Sequence, residues 1–164
     1  MNIFEEYIKK ITDLILKNKQ SLNLDNLNDF KGVVVESPPA EFNFDLSCNV
    51  GLLLGKINKI NPIELSNRIK DLIIKELKDF EKVEIAGPGF LNLKLTKKSL
   101  ILNINQILKN KESFGKKISN NSYNIEFVSA NPTGPMHVGH CRGAIYGDVL
   151  ANLLKFNGNK VVKE

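Results

Sequence analysis

His137 and His140 are the only histidines in 164 residues, and they stand three apart at the start of a helical pattern. Before them runs Asn124-Ile-Glu-Phe-Val-Ser-Ala-Asn-Pro-Thr-Gly-Pro-Met136, an apolar strand followed by a Pro/Gly-punctuated turn. A helix opening just after a strand presents unpaired backbone N–H groups and the positive end of its dipole, where phosphate binds well. Gly139 has no side chain, so a base or ribose can approach the backbone between the two rings. The flanking imidazoles can donate to phosphoryl oxygens whose charge grows during displacement at phosphorus. That is electrostatic stabilisation and needs no covalent intermediate. No Gly-x-x-x-x-Gly-Lys occurs, so a P-loop is not the phosphate cradle. Two plainer readings stay open on spacing alone. The rings cap the helix or face solvent, or His137, His140 and Cys141 hold a metal, for which the nearby sequence offers no fourth ligand.

A second set of residues lies upstream, where Gly87-Pro88-Gly89 separates two strand-like runs within Val83–Leu95. Alternation in the second run places Leu91, Leu93 and Leu95 on one face and Phe90, Asn92 and Lys94 on the other. An aromatic ring, an amide and a cation on one exposed strand face suit stacking on an unpaired base, with a phosphate contact beside it. The competing reading packs Phe90 under a helix and leaves Lys94 solvated.

The elements that must position these residues follow from periodicity. Residues 3–17 carry Ile3, Phe4, Tyr7, Ile8, Ile11, Leu14 and Ile15 at helical spacing. Gln20–Lys31 is polar and Asn-rich and is expected to be a loop, with Val33–Val35 a short strand closed by Pro38-Pro39. An apolar segment at 46–58 reads as a second helix. Asn61-Pro-Ile-Glu64 is a helix start, with Asn61 as cap, Pro62 in the first turn and Glu64 where a capping box wants an acid. A further helix is expected at about 97–110, using Leu100, Ile101, Ile104, Ile107 and Leu108. Lys109–Asn121, rich in Lys, Ser, Asn and Gly, is the expected boundary. Beyond it come a strand at 125–130, a helix at 138–156 closed by Asn157-Gly158, and a strand beginning at Val161-Val162. The expected organisation is therefore an α+β domain over residues 1–115, a small sheet packed with helices. Residues 116–164 follow as the first β-α unit of a Rossmann-like α/β nucleotide-binding domain. That unit is expected to expose apolar surface on its 125–130 strand, because a lone parallel strand has nothing to cover both faces.

Composition narrows the class. Hydrophobic residues make up 42% and charged residues 25%, as in ordinary globular proteins. No apolar run approaches membrane-spanning length, and the N-terminal residues lack the features of a secretory signal, so a cytoplasmic location is expected. Two cysteines, Cys48 and Cys141, are too few for a disulfide framework. The net charge of +5 rests almost wholly on lysine, since Arg68 and Arg142 are the only arginines, and it is a slight pointer to RNA.

Pro135-Met-His-Val-Gly-His140 resembles the His-Ile-Gly-His motif of class I aminoacyl-tRNA synthetases. The longer Glu126-Phe-Val-Ser-Ala-Asn-Pro-Thr-Gly-Pro-Met-His-Val-Gly-His-Cys-Arg-Gly-Ala144 is similar to arginyl-tRNA synthetases in particular. Val83–Asn92 and the Asn49–Lys56 segment resemble that family's N-terminal additional domain, which contacts the tRNA D-loop. One departure stands out. The family usually has Gly-Asp-aromatic before the Asn49 segment, and here Asn43-Phe44-Asp45 occurs.

The resemblance implies that His137 and His140 act as catalytic residues that bind ATP, with Gly139 against the nucleotide. It implies that Glu126, Ser129, Asn131 and His137 contact arginine, and that Phe90 and Asn92 contact tRNA(Arg). A monomer is implied, with Mg²⁺ accompanying ATP although no ligand for it is identifiable. The reaction implied is activation of arginine to arginyl-adenylate and transfer to tRNA. The second half of the nucleotide-binding fold, a Lys-Met-Ser-Lys-Ser-type loop and an anticodon-binding domain do not occur in these residues. The 164 residues alone are therefore expected to charge no tRNA. Two alternatives belong to other classes: a non-catalytic tRNA-binding module derived from a synthetase, and a different nucleotidyltransferase using the same histidines.

Overall fold

A computed structural model describes residues 2–27, 29–116, 119–131 and 133–164. Asn28 of the expected loop, Lys117 and Ile118 of the expected boundary and Pro132 of the expected turn lie outside the described residues. The chain divides into two units, Asn2–Lys111 and residues 112–164.

In the first unit, α1 spans Ile3–Lys17, and Asn2 caps it by accepting from the Glu5 amide at 2.8 Å. Its stripe Tyr7, Ile11, Leu14 and Ile15 is buried. Then come β1 (Val35–Glu36), β2 (Leu46–Cys48), α2 (Val50–Asn58), α3 (Pro62–Glu76), β3 (Phe80–Ala86), β4 (Phe90–Leu95) and α4 (Lys97–Asn110). The strands form an antiparallel sheet in the order β1-β2-β4-β3. One face of the sheet sends Leu46, Cys48, Leu91, Leu93, Leu95 and Val83 into a core shared with α1, α2 and α3. Each fully buried aliphatic side chain there contributes about 1.5–3 kcal/mol relative to exposure.

Tight helix packing sets the position of β4. A Cβ on Gly51 would stand 1.9 Å from Ser66 Oγ, and one on Gly55 would stand 2.9 Å from Pro62 Cα, so these glycines let α2 lie against α3. Ser66 Oγ donates to the Gly89 carbonyl at 2.8 Å. The turn that launches β4 is thereby tied to α3.

Several expectations are corrected. The first strand is Val35–Glu36 rather than Val33–Val35. The second helix starts at Val50, because Leu46–Cys48 pairs with Leu93–Leu91 as a strand. An apolar run of that length fits either period, and the partner strand decides it. Between the two elements Asn49 accepts from the Val34 amide at 2.9 Å and donates to the Gly32 carbonyl at 3.0 Å. The loop after α1 is irregular as expected, yet Leu22, Leu24 and Leu27 are buried in the core. Asn61 caps α3, but the Glu64 carboxylate pairs with Arg68 at 2.6 Å. The apolar stripe of α4 is exposed, and Ser99 is its buried residue.

In the second unit β5 (Ser122–Ile125) and β6 (Lys160–Lys163) pair in parallel, with α5 (Val138–Phe156) between them in sequence. The unit is thus a β-α-β, the opening of a Rossmann-like layer. Gly158, at φ +82°, takes the left-handed turn that leads from α5 into β6. The strand expected at 125–130 lies earlier, at 122–125. Val128 has a φ of +61°, which breaks an extended run. Ile125, Phe127 and Val128 are half-buried rather than exposed. The exposed apolar surface lies instead on α5, at Val138, Ile145, Tyr146, Val149 and Leu153, and at Tyr123 and Val162 of the strands. Gly147 lets α5 close on Phe127, since a Cβ there would stand 2.3 Å from the ring.

Candidate functional site

The residues after β5 turn sharply. Val128 takes its left-handed conformation, and the Ala130 amide donates to the Val128 carbonyl at 2.7 Å. This bend lets Ser129 Oγ donate to Glu126 Oε1, so both residues sit together at the carboxyl end of the first strand. Ligands of open α/β sheets bind at that end. Glu126, Ser129 and Asn131 are all exposed. One Glu126 oxygen takes the serine hydroxyl, which leaves the other to accept from a cationic donor.

His137 and His140 meet at the N-terminus of α5. Their rings stack at 3.8 Å between centroids, 25° from parallel. His137 is the cap residue, and its Nδ1 accepts from the Gly139 amide at 3.1 Å. The His140 Nδ1 accepts from the His137 amide at 3.2 Å, which completes a reciprocal capping box built from imidazoles. With each Nδ1 accepting, a neutral ring carries its proton on Nε2. Two Nε2–H donors then stand at a helix end where the dipole favours anions. Gly139 is needed for this arrangement, because a Cβ there would lie 3.0 Å from His137 Cε1. The plain capping reading and the anion reading therefore describe one arrangement. No hydrogen bond or ring contact among the described residues joins the imidazole pair to Glu126, Ser129 or Asn131. Nor do the described residues hold a cluster of three His, Cys, Asp or Glu side chains placed to bind a metal.

The second candidate site is a cleft of about 270 Å³ on the open face of the first unit's sheet. Phe90 and Asn92 of β4 line it, together with Glu36, Ser47, Pro38, Pro39 and Phe42. Cross-strand register assembles part of this lining, since Glu36 pairs with Ser47, and Ser47 with Asn92. The expectation of an exposed strand face needs correction for Asn92, which is only 5% exposed because its neighbours rise around it. Its amide makes no hydrogen bond among the described residues, and since none of their buried side-chain nitrogens or oxygens lacks a partner, its polar atoms open onto the cleft. Phe42, Ser47 and Glu36 were not singled out by sequence reasoning. The double proline before Phe42 was the available signal, because it holds an aromatic on a turn beside a strand end.

Lys94 does not face the cleft as a free cation. Its Nζ donates to Asn43 Oδ1 at 2.9 Å and lies 3.6 Å from Asp45 Oδ1. Phe44, where the resembled family has glycine, is half-buried beneath Lys82, whose Nζ is 5.3 Å from the ring centroid. No positive φ is required of it.

Comparison with known proteins also divides the chain in two, with the second match beginning inside α4. The family model for the arginyl tRNA synthetase N-terminal domain matches residues 2–95. The model for the catalytic domain of class I (R) tRNA synthetases matches residues 103–164. The arginine–tRNA ligase of Pelagibacter ubique is 45% identical over 168 residues, covering 100% of this chain and 29% of that protein. That of Brucella anthropi is 44% identical over 170 residues, covering 100% and 28%. The chain thus spans under a third of the length of these curated relatives. Among solved structures, Thermus thermophilus arginyl-tRNA synthetase superposes with a TM-score of 0.63 at 19% identity, covering 98% of this chain and 24% of that one. The enzyme from Plasmodium falciparum gives 0.61 at 22%, covering 93% and 29%. At those identities the structural likeness speaks to the fold.

Proposed function

The chain belongs to the arginyl-tRNA synthetase family, and from that premise we propose that it supplies the RNA-contacting domain and the first nucleotide-binding segment of a cytoplasmic arginine–tRNA ligase. Residues 1–115 form the tRNA-contacting domain in this reading, and residues 116–164 open the catalytic one. The substrates are ATP, arginine and tRNA(Arg), and the enzyme is a monomer.

The observation that carries this reading is the stacked imidazole pair, each ring with Nδ1 engaged by the backbone. In the activation step the arginine carboxylate attacks the α-phosphorus of ATP, and pyrophosphate leaves. His137 and His140 donate from Nε2 to phosphoryl oxygens, stabilising charge that grows as the bond to the leaving group lengthens. Gly139 keeps the space beside them clear. Glu126, with Ser129 donating to one of its oxygens, presents the other to the arginine guanidinium. Asn131 contributes a short polar acceptor on the same segment. Magnesium accompanies the ATP phosphates in this reading, as that ion commonly does.

Phe90 and Asn92 bind an unpaired tRNA base in the D-loop. The Asn92 amide supports this, because it opens onto the cleft with no protein partner among the described residues and is free to bond a base edge. Glu36 is the charged side chain lining the cleft, and a carboxylate there suits a base donor and repels a phosphate.

Two histidines give two imidazole signals, so a ¹H–¹³C spectrum tests the nucleotide site directly. Titration with ATP and magnesium is expected to move both, and His137→Ala to weaken the response at His140. Unmoved signals at saturating ATP would remove the assignment. A polypeptide of these 164 residues alone is expected to give no arginine-dependent tRNA charging.

A further inference from the structure

Lys94 shares a strand and a face with Phe90 and Asn92, the place where a phosphate contact would be sought. Its ammonium group is directed elsewhere, to Asn43 Oδ1 at 2.9 Å and Asp45 Oδ1 at 3.6 Å. Asp45 is fixed from two further directions. Its Oδ2 accepts from the Leu95 amide at 2.8 Å, and its own amide donates to the Leu93 carbonyl at 3.0 Å. The preceding turn is compact, with the Phe42 amide donating to Pro39 at 2.9 Å and the Phe44 amide donating to Phe42 at 2.8 Å. Holding Asn43 and Asp45 therefore holds Phe42. That ring is 44% exposed and lines the same cleft as Phe90 and Asn92. An aromatic face left open beside the cleft is a surface on which a flat ligand can stack.

We propose that Phe42 is a second stacking wall of the RNA cleft, and that Lys94 is a positioning residue that holds this wall in place and makes no phosphate contact. The inference rests on the reading of the cleft as a base site. It changes the role of the one basic residue on that strand face from binding charge to setting shape. Salt dependence separates the two roles. A lysine on a phosphate adds about one to the slope of log K against log salt, whereas a lysine paired within the protein adds nothing.

The test titrates a labelled, unmodified tRNA(Arg) transcript with the 164-residue chain at several salt concentrations. Lys94→Met and Phe42→Ala are each expected to weaken binding by about tenfold, the size of one lost stacking partner, with the slope unchanged. The double variant is expected to be no weaker than Phe42→Ala, and Lys94→Arg to recover most of the affinity. In the free chain, Lys94→Met is expected to speed amide exchange at Phe44 and Asp45, a readout that needs no RNA. A slope lower by about one in Lys94→Met, with effects additive to Phe42→Ala, would make Lys94 a phosphate contact and overturn the proposal. Unchanged exchange at Phe44 and Asp45 would also overturn it. Binding indifferent to Phe90→Ala and Asn92→Ala, or absent in the unsubstituted chain, defeats the cleft reading itself, and the inference falls with it.

Discussion

The two units of this chain handle apolar surface in opposite ways. Asn2–Lys111 closes a continuous core from α1 to β4, in which Ile11, Ile15, Leu54, Leu65, Ile69, Leu91 and Leu93 are fully buried. Among the described residues of 112–164, Ala151 is the buried hydrophobic residue, and α5 shows Val138, Ile145 and Tyr146 to solvent. The difference follows from architecture. An antiparallel sheet with helices on one face is complete with four strands, whereas a parallel layer needs cover on both faces and more neighbours. The first unit also has a limit of this kind. Its core stops short of α4, whose Ile101, Ile104 and Leu108 are exposed.

Hydrogen exchange gives the largest expected contrast. Amides of Leu91 and Leu93 in β4 should exchange only through global opening of the first unit. Those of Tyr123 in β5 and Val161 in β6 should exchange by local opening, about a thousandfold faster. Equal protection in the two strand pairs would erase the contrast.

A smaller effect sharpens it. Ile69→Ala, at a site with no exposure, should cost about 3 kcal/mol. Ile145→Ala, at a site 66% exposed, should change stability by less than about 0.5 kcal/mol. Denaturant melts followed by circular dichroism measure both, and a large loss from Ile145→Ala would show a buried partner for α5.

A further effect is in alkali and belongs to the first unit. Burial pushes the Cys48 thiol up to about 12. Burial, then the Asp79 carboxylate, pushes the Tyr7 hydroxyl up to about 12 as well. Both folded values exceed the unfolded ones. The stability they carry is therefore complete below about pH 8.5 and is lost as the pH rises towards about 12. Melting points taken from about pH 8 to about pH 11 should fall, and Tyr7→Phe should flatten the fall. An unaltered slope in Tyr7→Phe would remove the tyrosine from this account.

Long amphipathic runs with marked ends were legible in the sequence. Asn61 caps α3 and Gly158 follows α5, as their residue types announce, while α1 and α4 stand where periodicity alone places them. Short apolar runs were not. Leu46–Cys48 is a strand because Leu91–Leu93 pairs with it, and 126–130 is not one because Val128 is left-handed. Both facts come from tertiary structure and leave no local trace. The histidine pair was legible as a motif, but its mutual cap depends on which nitrogen turns inward. The cleft was half legible. Phe90 and Asn92 follow from alternation on one strand, while Phe42, Ser47 and Glu36 arrive from segments that only strand register brings near.

The self-made cap at α5 has a consequence for reach. Asparagine or serine would satisfy the same Gly139 amide, but it would end close to the backbone. An imidazole spends one nitrogen on that amide and carries a second, polarised N–H across the width of the ring. A visiting anion is thus met outside the helix, by groups whose orientation the helix has already set, and it need not unfasten the first turn to be held.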